Sequence, residues 1–266
     1  MLTSTNNTRV KQIAEYSKKS KARRKDGVFL IEGIRMLREV PLEAMREVYV
    51  TGHFLENLSP EDKTLIRNIQ QDDGVSFEEV SDDVMRKMAD TQTPQGVLAV
   101  VKEKRWELKD LLGETPLLLI LENIQDPGNL GNMFRTGEGA GVTGIIMSSD
   151  MADAYNPKVV RSTMGAILRV PFIYVDSIPD TVKELREKYN VTSYAAHLKG
   201  TKNYDEISYK EASAFLIGNE GNGLTKEAAD AASEYVLIPM LGRVESMNAA
   251  TSAAILTFEA ARQRRQ

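Results

Sequence analysis

Three stretches in the C-terminal half join a short apolar run to a polar, glycine-bearing turn, and each turn carries residues able to do chemistry. The first is Glu122-Asn123-Ile124-Gln125-Asp126-Pro127-Gly128-Asn129-Leu130-Gly131-Asn132-Met133-Phe134-Arg135-Thr136. An Asp-Pro-Gly turn leads to Asn129, a residue type that caps helices, and Arg135 follows almost two turns later, near enough to meet a phosphate at the helix mouth. Taken alone, Asn129 reads equally well as a plain cap and Arg135 as a surface residue. The second stretch is Gly218-Asn219-Glu220-Gly221-Asn222-Gly223-Leu224, whose glycines expose backbone amides that can cradle a ligand. It has no lysine, so it is not a phosphate-binding Walker loop. The third runs from Pro239 to Asn248 and brings Ser246 and Asn248 straight into a closing helix. Three such loops are more than turn chemistry requires, and they describe a small-molecule site lined by backbone groups.

The elements that must position these loops follow from the apolar pattern. Short buried strands are expected at 117–121, 145–148, 172–175, 191–195, 214–217 and 235–238, with helices near 129–139, 158–167, 181–189, 225–232 and 248–262. Strands separated by helices favour a mainly parallel sheet covered on both faces, and such sheets bind ligands at the C-terminal ends of their strands. The first hundred residues alternate more loosely. Strands are expected at 28–31, 48–51, 75–80 and 96–101, with helices at 61–70 and 81–89, the latter capped by Ser81. A charged stretch ending in Gly113 and Pro116 reads as a linker. One further motif misleads: Gly139-Ala140-Gly141-Val142-Thr143-Gly144 spells the dinucleotide-binding G-x-G-x-x-G, but a helix precedes it and a strand follows. That order is reversed, so the glycines read as a helix stop and a tight turn.

Composition narrows the chemistry. The 266 residues contain no cysteine, which excludes thiolate metal sites and cysteine nucleophiles, and the two histidines, His53 and His197, match no zinc spacing. The apolar run Leu117–Leu121 falls far short of the roughly 20 residues needed to cross a bilayer. The N-terminus has no apolar segment of the kind that directs secretion. The expectation is a cytoplasmic protein with no metal and no membrane partner. The net charge of -4 argues on average against a nucleic-acid partner, yet residues 9–25 hold eight basic side chains and one acid, Glu15. Segregated basic patches can bind phosphates whatever the overall charge, although a solvated helix face explains the composition equally well.

Beyond these readings, N-I-Q-D-P-G-N-L-G-N-M-F-R-T, G-N-E-G-N-G-L and I-P-M-L-G-R-V-E-S-M-N-A-A-T-S-A-A-I-L resemble, in order and spacing, the three signature motifs of the SpoU (TrmH) branch of the SPOUT RNA methyltransferases. F-L-I-E-G at 29–33 and T-P-Q-G-V at 93–97 resemble that family's substrate-binding domain, a small α/β fold related to ribosomal proteins that grip kinked RNA. The resemblance implies an RNA-binding domain over 1–104, a linker over 105–115, and an α/β methyltransferase domain with a deep trefoil knot over 116–266. It implies transfer of a methyl group from S-adenosylmethionine to a ribose 2′-hydroxyl in RNA, with folded rRNA, 23S above all, favoured over tRNA. It also implies a homodimer.

Carried over position by position, the resemblance places cofactor contacts at Gly218, Ile238, Leu241 and Met247, the last a position where the family usually has leucine. It makes Arg135 the catalytic arginine, surrounded by Asn129, Glu220, Ser246 and Asn248. Lys18, Lys19, Lys21, Arg23 and Arg24 become RNA contacts. Two other functions fit parts of the same pattern: a ribosome-assembly protein that has lost the chemistry, and a small-molecule methyltransferase. The intact set at 129, 135, 220, 246 and 248 argues against the first, and the basic N-terminal region against the second.

Overall fold

The structure, a computed structural model, describes residues 1–89 and 91–265 and divides into two compact units. The first comprises Met1–Lys104 together with Asp153–Leu168. Its strands β1 (Val28–Glu32), β2 (Met45–Thr51), β3 (Ser76–Val80) and β4 (Val97–Lys102) lie in the order β1-β4-β2-β3. β4 runs antiparallel to both β1 and β2, and β2 runs parallel to β3. The helices are α1 (Thr8–Lys18), α2 (Ser20–Asp26), α3 (Ile34–Leu37), α4 (Gly52–Glu56), α5 (Pro60–Gln71) and α6 (Asp82–Met88). Val10, Ile13 and Tyr16, at helical spacing on α1, meet Val84, Met85 and Met88 of α6 over Val28, Leu30, Leu98 and Val100. Ser81 caps α6 as its sequence predicts, accepting from Val84 N.

The second unit comprises Arg105–Ala152 and Arg169–Gln266. After β5 (Leu117–Leu121) come α7 (Pro127–Ala140) and β6 (Gly144–Ser148). Two short helices of the intervening chain follow, α8 (Pro157–Thr163) and α9 (Ala166–Arg169). Then come β7 (Phe172–Val175), α10 (Ile178–Tyr189), β8 (Thr192–Ala196), β9 (Lys202–Asn203), β10 (Ser213–Ile217), α11 (Lys226–Ala231), β11 (Glu234–Leu237) and α12 (Ala249–Arg264). The seven strands lie in the order β7-β6-β5-β10-β8-β11-β9, and their pairings are parallel. Period-two alternation splits β5 between two layers. Leu118 and Ile120 join Val182 and Leu185 of α10 and Ala228 of α11 in one core, while Leu119 lies toward Gly137 of α7, which packs on α12.

One expectation is corrected, and two further stretches pack in ways the apolar pattern does not show. The region 158–167 is not one helix, because Met164 and Gly165 both take positive φ and break it into α8 and α9. Residues 153–168, expected within the C-terminal domain, group by contact with the first unit, with α8 packed against β1. In the stretch 105–115, expected as a linker, Trp106, Leu108 and Leu112 pack against the core of the second unit. Leu111 is fully buried, and Gly144 leaves the room that Leu111 fills, since a Cβ there would overlap it. The misleading glycine motif is a helix stop: Gly141 closes α7 in the left-handed region, its N–H donating to Glu138 O and Gly137 O, and β6 starts at Gly144.

Candidate functional site

Because the strands of the second unit are parallel, the loops after β5, β8, β10 and β11 leave by the same edge of the sheet. β5 and β10 are neighbours there, at the point where the strand order changes direction, which is where open α/β sheets form ligand crevices. A cavity of about 300 Å³ opens at this edge, lined among others by Ala196, His197, Gly218, Glu220, Ile238, Ser246 and Met247. Its volume is at the small end of the range for cofactor-sized pockets.

The loop after β5 is shaped by local rules. Asn123 takes φ 52, a conformation asparagine tolerates better than most residues, and Asp126 caps α7 by accepting from Asn129 N at 2.7 Å, with Pro127 at the first helical position. The cap is therefore Asp126 and not Asn129, so the Asn129 side chain is available for other work. The loop after β10 closes on itself through Asn219 N to Gly223 O at 3.0 Å and Gly223 N to Asn219 O at 2.9 Å. A Cβ on Gly218 would land on the backbone of Gly223 and Leu224, so glycine is needed there by the loop itself, before any ligand is considered. Two cross-links tie this loop to the first one. Asn219 Nδ2 donates to Asn123 O at 2.8 Å, and Glu122 accepts from both N and Oγ1 of Thr225 at 2.7 Å.

Three of the expected residues form one relay. Asn248 caps α12, its Oδ1 accepting from Ala250 N at 2.9 Å and Thr251 N at 3.2 Å. That leaves its Nδ2 to donate to Asn129 Oδ1 at 2.9 Å, and Asn129 Nδ2 in turn donates to Glu220 Oε1 at 2.9 Å. Glu220 also accepts from Asp126 N at 3.1 Å and Gln125 N at 3.3 Å. Desolvation pushes its carboxyl up, but the hydrogen bonds from Asn129 and from the backbone of Glu220, Asp126 and Gln125 outweigh that and hold it below the usual carboxylate value. The anchoring is thus fully present above the ordinary carboxylate pKa and is lost as pH falls through the lowered one.

The other expected residues are placed less uniformly. Gly218, Ile238, Ser246 and Met247 line the cavity, but Leu241 is not among its lining residues and is fully exposed. Arg135 is exposed on α7, six residues beyond Asn129. In the first unit Lys18, Lys19, Lys21 and Arg24 are exposed, and Lys19 pairs with Glu15. Arg23 corrects the expectation. It is 2% exposed, and its guanidinium donates to Tyr16 O and Asp153 Oδ2, so its charge is spent inside the unit and not offered to RNA. Sequence reasoning passed over Glu122, Asn123 and Asn219, which knit the loops together. The signal available for them was that they flank the ends of β5 and β10.

The signature of the SpoU rRNA Methylase family matches residues 116–258, the whole region that carries these loops. The chain belongs to the SpoU family. An MRM3-like substrate binding domain matches residues 7–99. A 23S rRNA (guanosine(2553)-2′-O)-methyltransferase RlmP of Bacillus subtilis is 31% identical over 90% of this chain and 90% of its own. A 23S rRNA (guanosine-2′-O-)-methyltransferase RlmB of Bordetella pertussis is 31% identical over 87% of this chain and 94% of its own. Among solved SpoU structures, the methyltransferase AviRb from Streptomyces viridochromogenes in complex with AdoMet covers 98% of this chain and 99% of that one, with TM-score 0.87 and 25% identity. An AdoMet-bound rRNA methyltransferase from Sinorhizobium meliloti covers 98% and 97%, with TM-score 0.85 and 28% identity. In this SpoU chain the relay of Asn248, Asn129 and Glu220 joins residues from all three signature segments.

Proposed function

We propose that this SpoU protein methylates a ribose 2′-hydroxyl of 23S rRNA with S-adenosylmethionine as donor. The observation that carries this reading is a cavity lined by the second and third signature loops, to which the first loop is tied by the Asn248–Asn129–Glu220 relay. The lining suits the cofactor: apolar Ile238 and Met247 can flank a flat ring, while the backbone of the 218–224 loop and the Glu220 carboxylate offer polar partners. When bound, the cofactor supplies an electrophilic methyl group.

The chain's own residues then have three tasks. Arg135 presents a permanent positive charge and a planar pair of donors, suited to clamping a phosphate beside the reacting ribose and to stabilising charge that develops on the 2′-oxygen. A guanidinium holds its proton in proteins, so Arg135 acts here through charge and not as a base. Glu220, fixed by its donors, and Asn129 hold the loops in register, and Ser246 adds a hydroxyl at the cavity wall. Fixing the reactants in line can lower the barrier by up to about 7–11 kcal/mol.

The reading extends to the rest of the chain. The knot implied by the family resemblance belongs to the same loop region. Residues 1–104 supply RNA binding through Lys18, Lys19, Lys21 and Arg24, and rRNA as substrate implies work in the cytoplasm. Homodimerisation is supported by apolar side chains that the single chain leaves uncovered: Leu241 at 100%, Val244 at 62% and Phe258 at 46% exposure.

The test is methyl transfer from labelled S-adenosylmethionine to protein-free 23S rRNA, followed by alkaline hydrolysis. The expected product is one alkali-stable dinucleotide. Arg135→Lys keeps the charge but loses the fork, and its single-turnover rate should fall by about 10²–10³ while cofactor binding survives. Strong recovery of the lysine variant at alkaline pH, steeper than in wild type, would restore the arginine as a base. Cofactor binding with no transfer to any rRNA would favour an assembly role.

A further inference from the structure

A second cavity, of about 270 Å³, lies in the first unit and takes no part in the site described above. Its lining falls wholly within the part of the chain that matches a substrate-binding domain. Half-buried Phe54 and buried Met85 give it apolar surface, the amides of Gln92 and Gln95 give it both donors and acceptors, and His53 adds a second ring.

Its walls are built in advance. Gly96, at φ +79, carries no Cβ that would overlap Phe54 Cβ and Thr51 Oγ1, so backbone and ring sit close together. Thr51 N donates to Gly96 O at 2.9 Å, and Thr51 Oγ1 accepts from Phe54 N at 3.3 Å, which fixes the start of α4. Across the cavity, the loop after α6 is pinned to the buried carboxylate of Glu32, which accepts from Thr91 Oγ1 at 2.8 Å and Gln95 N at 3.1 Å. Gly33, at φ +93, leaves the space that the Gln95 amide occupies. A cavity whose walls are held by glycines and a buried carboxylate loses little entropy when filled.

We propose that this cavity receives one unpaired nucleobase of the substrate RNA, stacked on Phe54 and read along its polar edge by Gln92 and Gln95. The proposal rests on the reading that the chain acts on RNA. The chemistry favours a base over a phosphate: an aromatic face with neutral amides is how proteins hold splayed bases, whereas the phosphate-seeking charges lie on α1 and α2. Arg86 at the rim pairs with Asp83, which tempers its own claim on a phosphate.

The experiment measures affinity of the full-length protein for protein-free 23S rRNA over a series of salt concentrations. Phe54→Leu removes the stacking face and should weaken binding about tenfold at every salt concentration, with the slope of log affinity against log salt unchanged. Phe54→Tyr, which keeps the face, should bind as wild type. Gln92→Ala, at an exposed position that the fold does not need, should weaken binding several-fold in the same slope-neutral way, and it carries the test if the leucine variant does not fold. Affinity for S-adenosylmethionine should be unchanged in all three. Wild-type RNA affinity in Phe54→Leu and Gln92→Ala, or a loss that comes with a changed slope, overturns the proposal. If those variants methylate rRNA as wild type does, the cavity alone loses its role. If wild type binds no rRNA at all, the functional reading falls with it.

Discussion

The two units use polar side chains in opposite ways. In the second, Asn129, Glu220 and Asn248 satisfy one another across loops that are 91 and 119 residues apart in sequence, so each functional group is also a structural tie. In the first, Lys18, Lys21 and Arg24 project from α1 and α2 into solvent, while Arg23, their neighbour in sequence, is folded inward onto Tyr16 and Asp153. Chemistry carried by hydrogen-bonded ties demands fixed geometry. Chemistry carried by a basic surface demands only that charge be near. Motif spacing reports the first kind well, and a count of basic residues reports the second poorly.

The largest effect expected from this contrast is at Arg23. Removing one partner of a buried ion pair strands the other, and the usual penalty is about 3–5 kcal/mol. Arg23→Ala should therefore shift the urea midpoint of the first unit strongly, while RNA binding by the remaining native protein keeps its salt slope. Wild-type stability together with a shallower slope would return Arg23 to the RNA surface.

Next comes Asn248, where cap and tie can be separated. Asn248→Asp keeps an oxygen for Ala250 N and Thr251 N but loses the donor to Asn129, so that Asn129 must turn its amide and release Glu220. Asn248→Ala loses both functions, and the missing cap alone costs about 1 kcal/mol. Thermal unfolding should fall for the alanine variant and hold for the aspartate, whereas cofactor affinity should fall for both. An aspartate variant that binds cofactor as wild type does would show that the tie between Asn248 and Asn129 is idle.

Much of the second unit was legible in its sequence, because period-two burial and loop chemistry agree there. Leu118 and Ile120 alternate with Leu119 across the sheet, and Ser213–Ile217, Glu234–Leu237 and Ala249–Arg264 form within a residue or two of where the pattern puts them. What escaped notice depended on contacts distant in sequence. Pro127 at the first helical position is the local sign that Asp126, and not Asn129, caps α7; only the fold shows the Asn129 side chain engaged with Glu220 instead. No pattern in Ser20–Asp26 marks Arg23 for burial, since its partner Asp153 lies 130 residues on.

The smallest effect expected is at the lysines, and it tests the other half of the contrast. Lys18, Lys21 and Arg24 are exposed, and Lys19 pairs with Glu15, an exposed pair of the kind that contributes little to stability. Changing Lys18, Lys21 and Arg24 to glutamine should leave unfolding within about 0.5 kcal/mol of wild type. If each side chain touches a phosphate, each change should lower the salt slope of rRNA binding by about 0.7–0.9, the release expected for one counterion site. The loss should be largest at low salt and shrink as salt rises, opposite in form to the salt-independent loss expected at Phe54. Lys19→Gln is the internal control, because freeing Glu15 adds an acid to the same face and should weaken binding beyond the loss of one contact. A triple variant with wild-type slope would make the basic run a solvated helix surface, and RNA binding would then rest on contacts that carry no net charge.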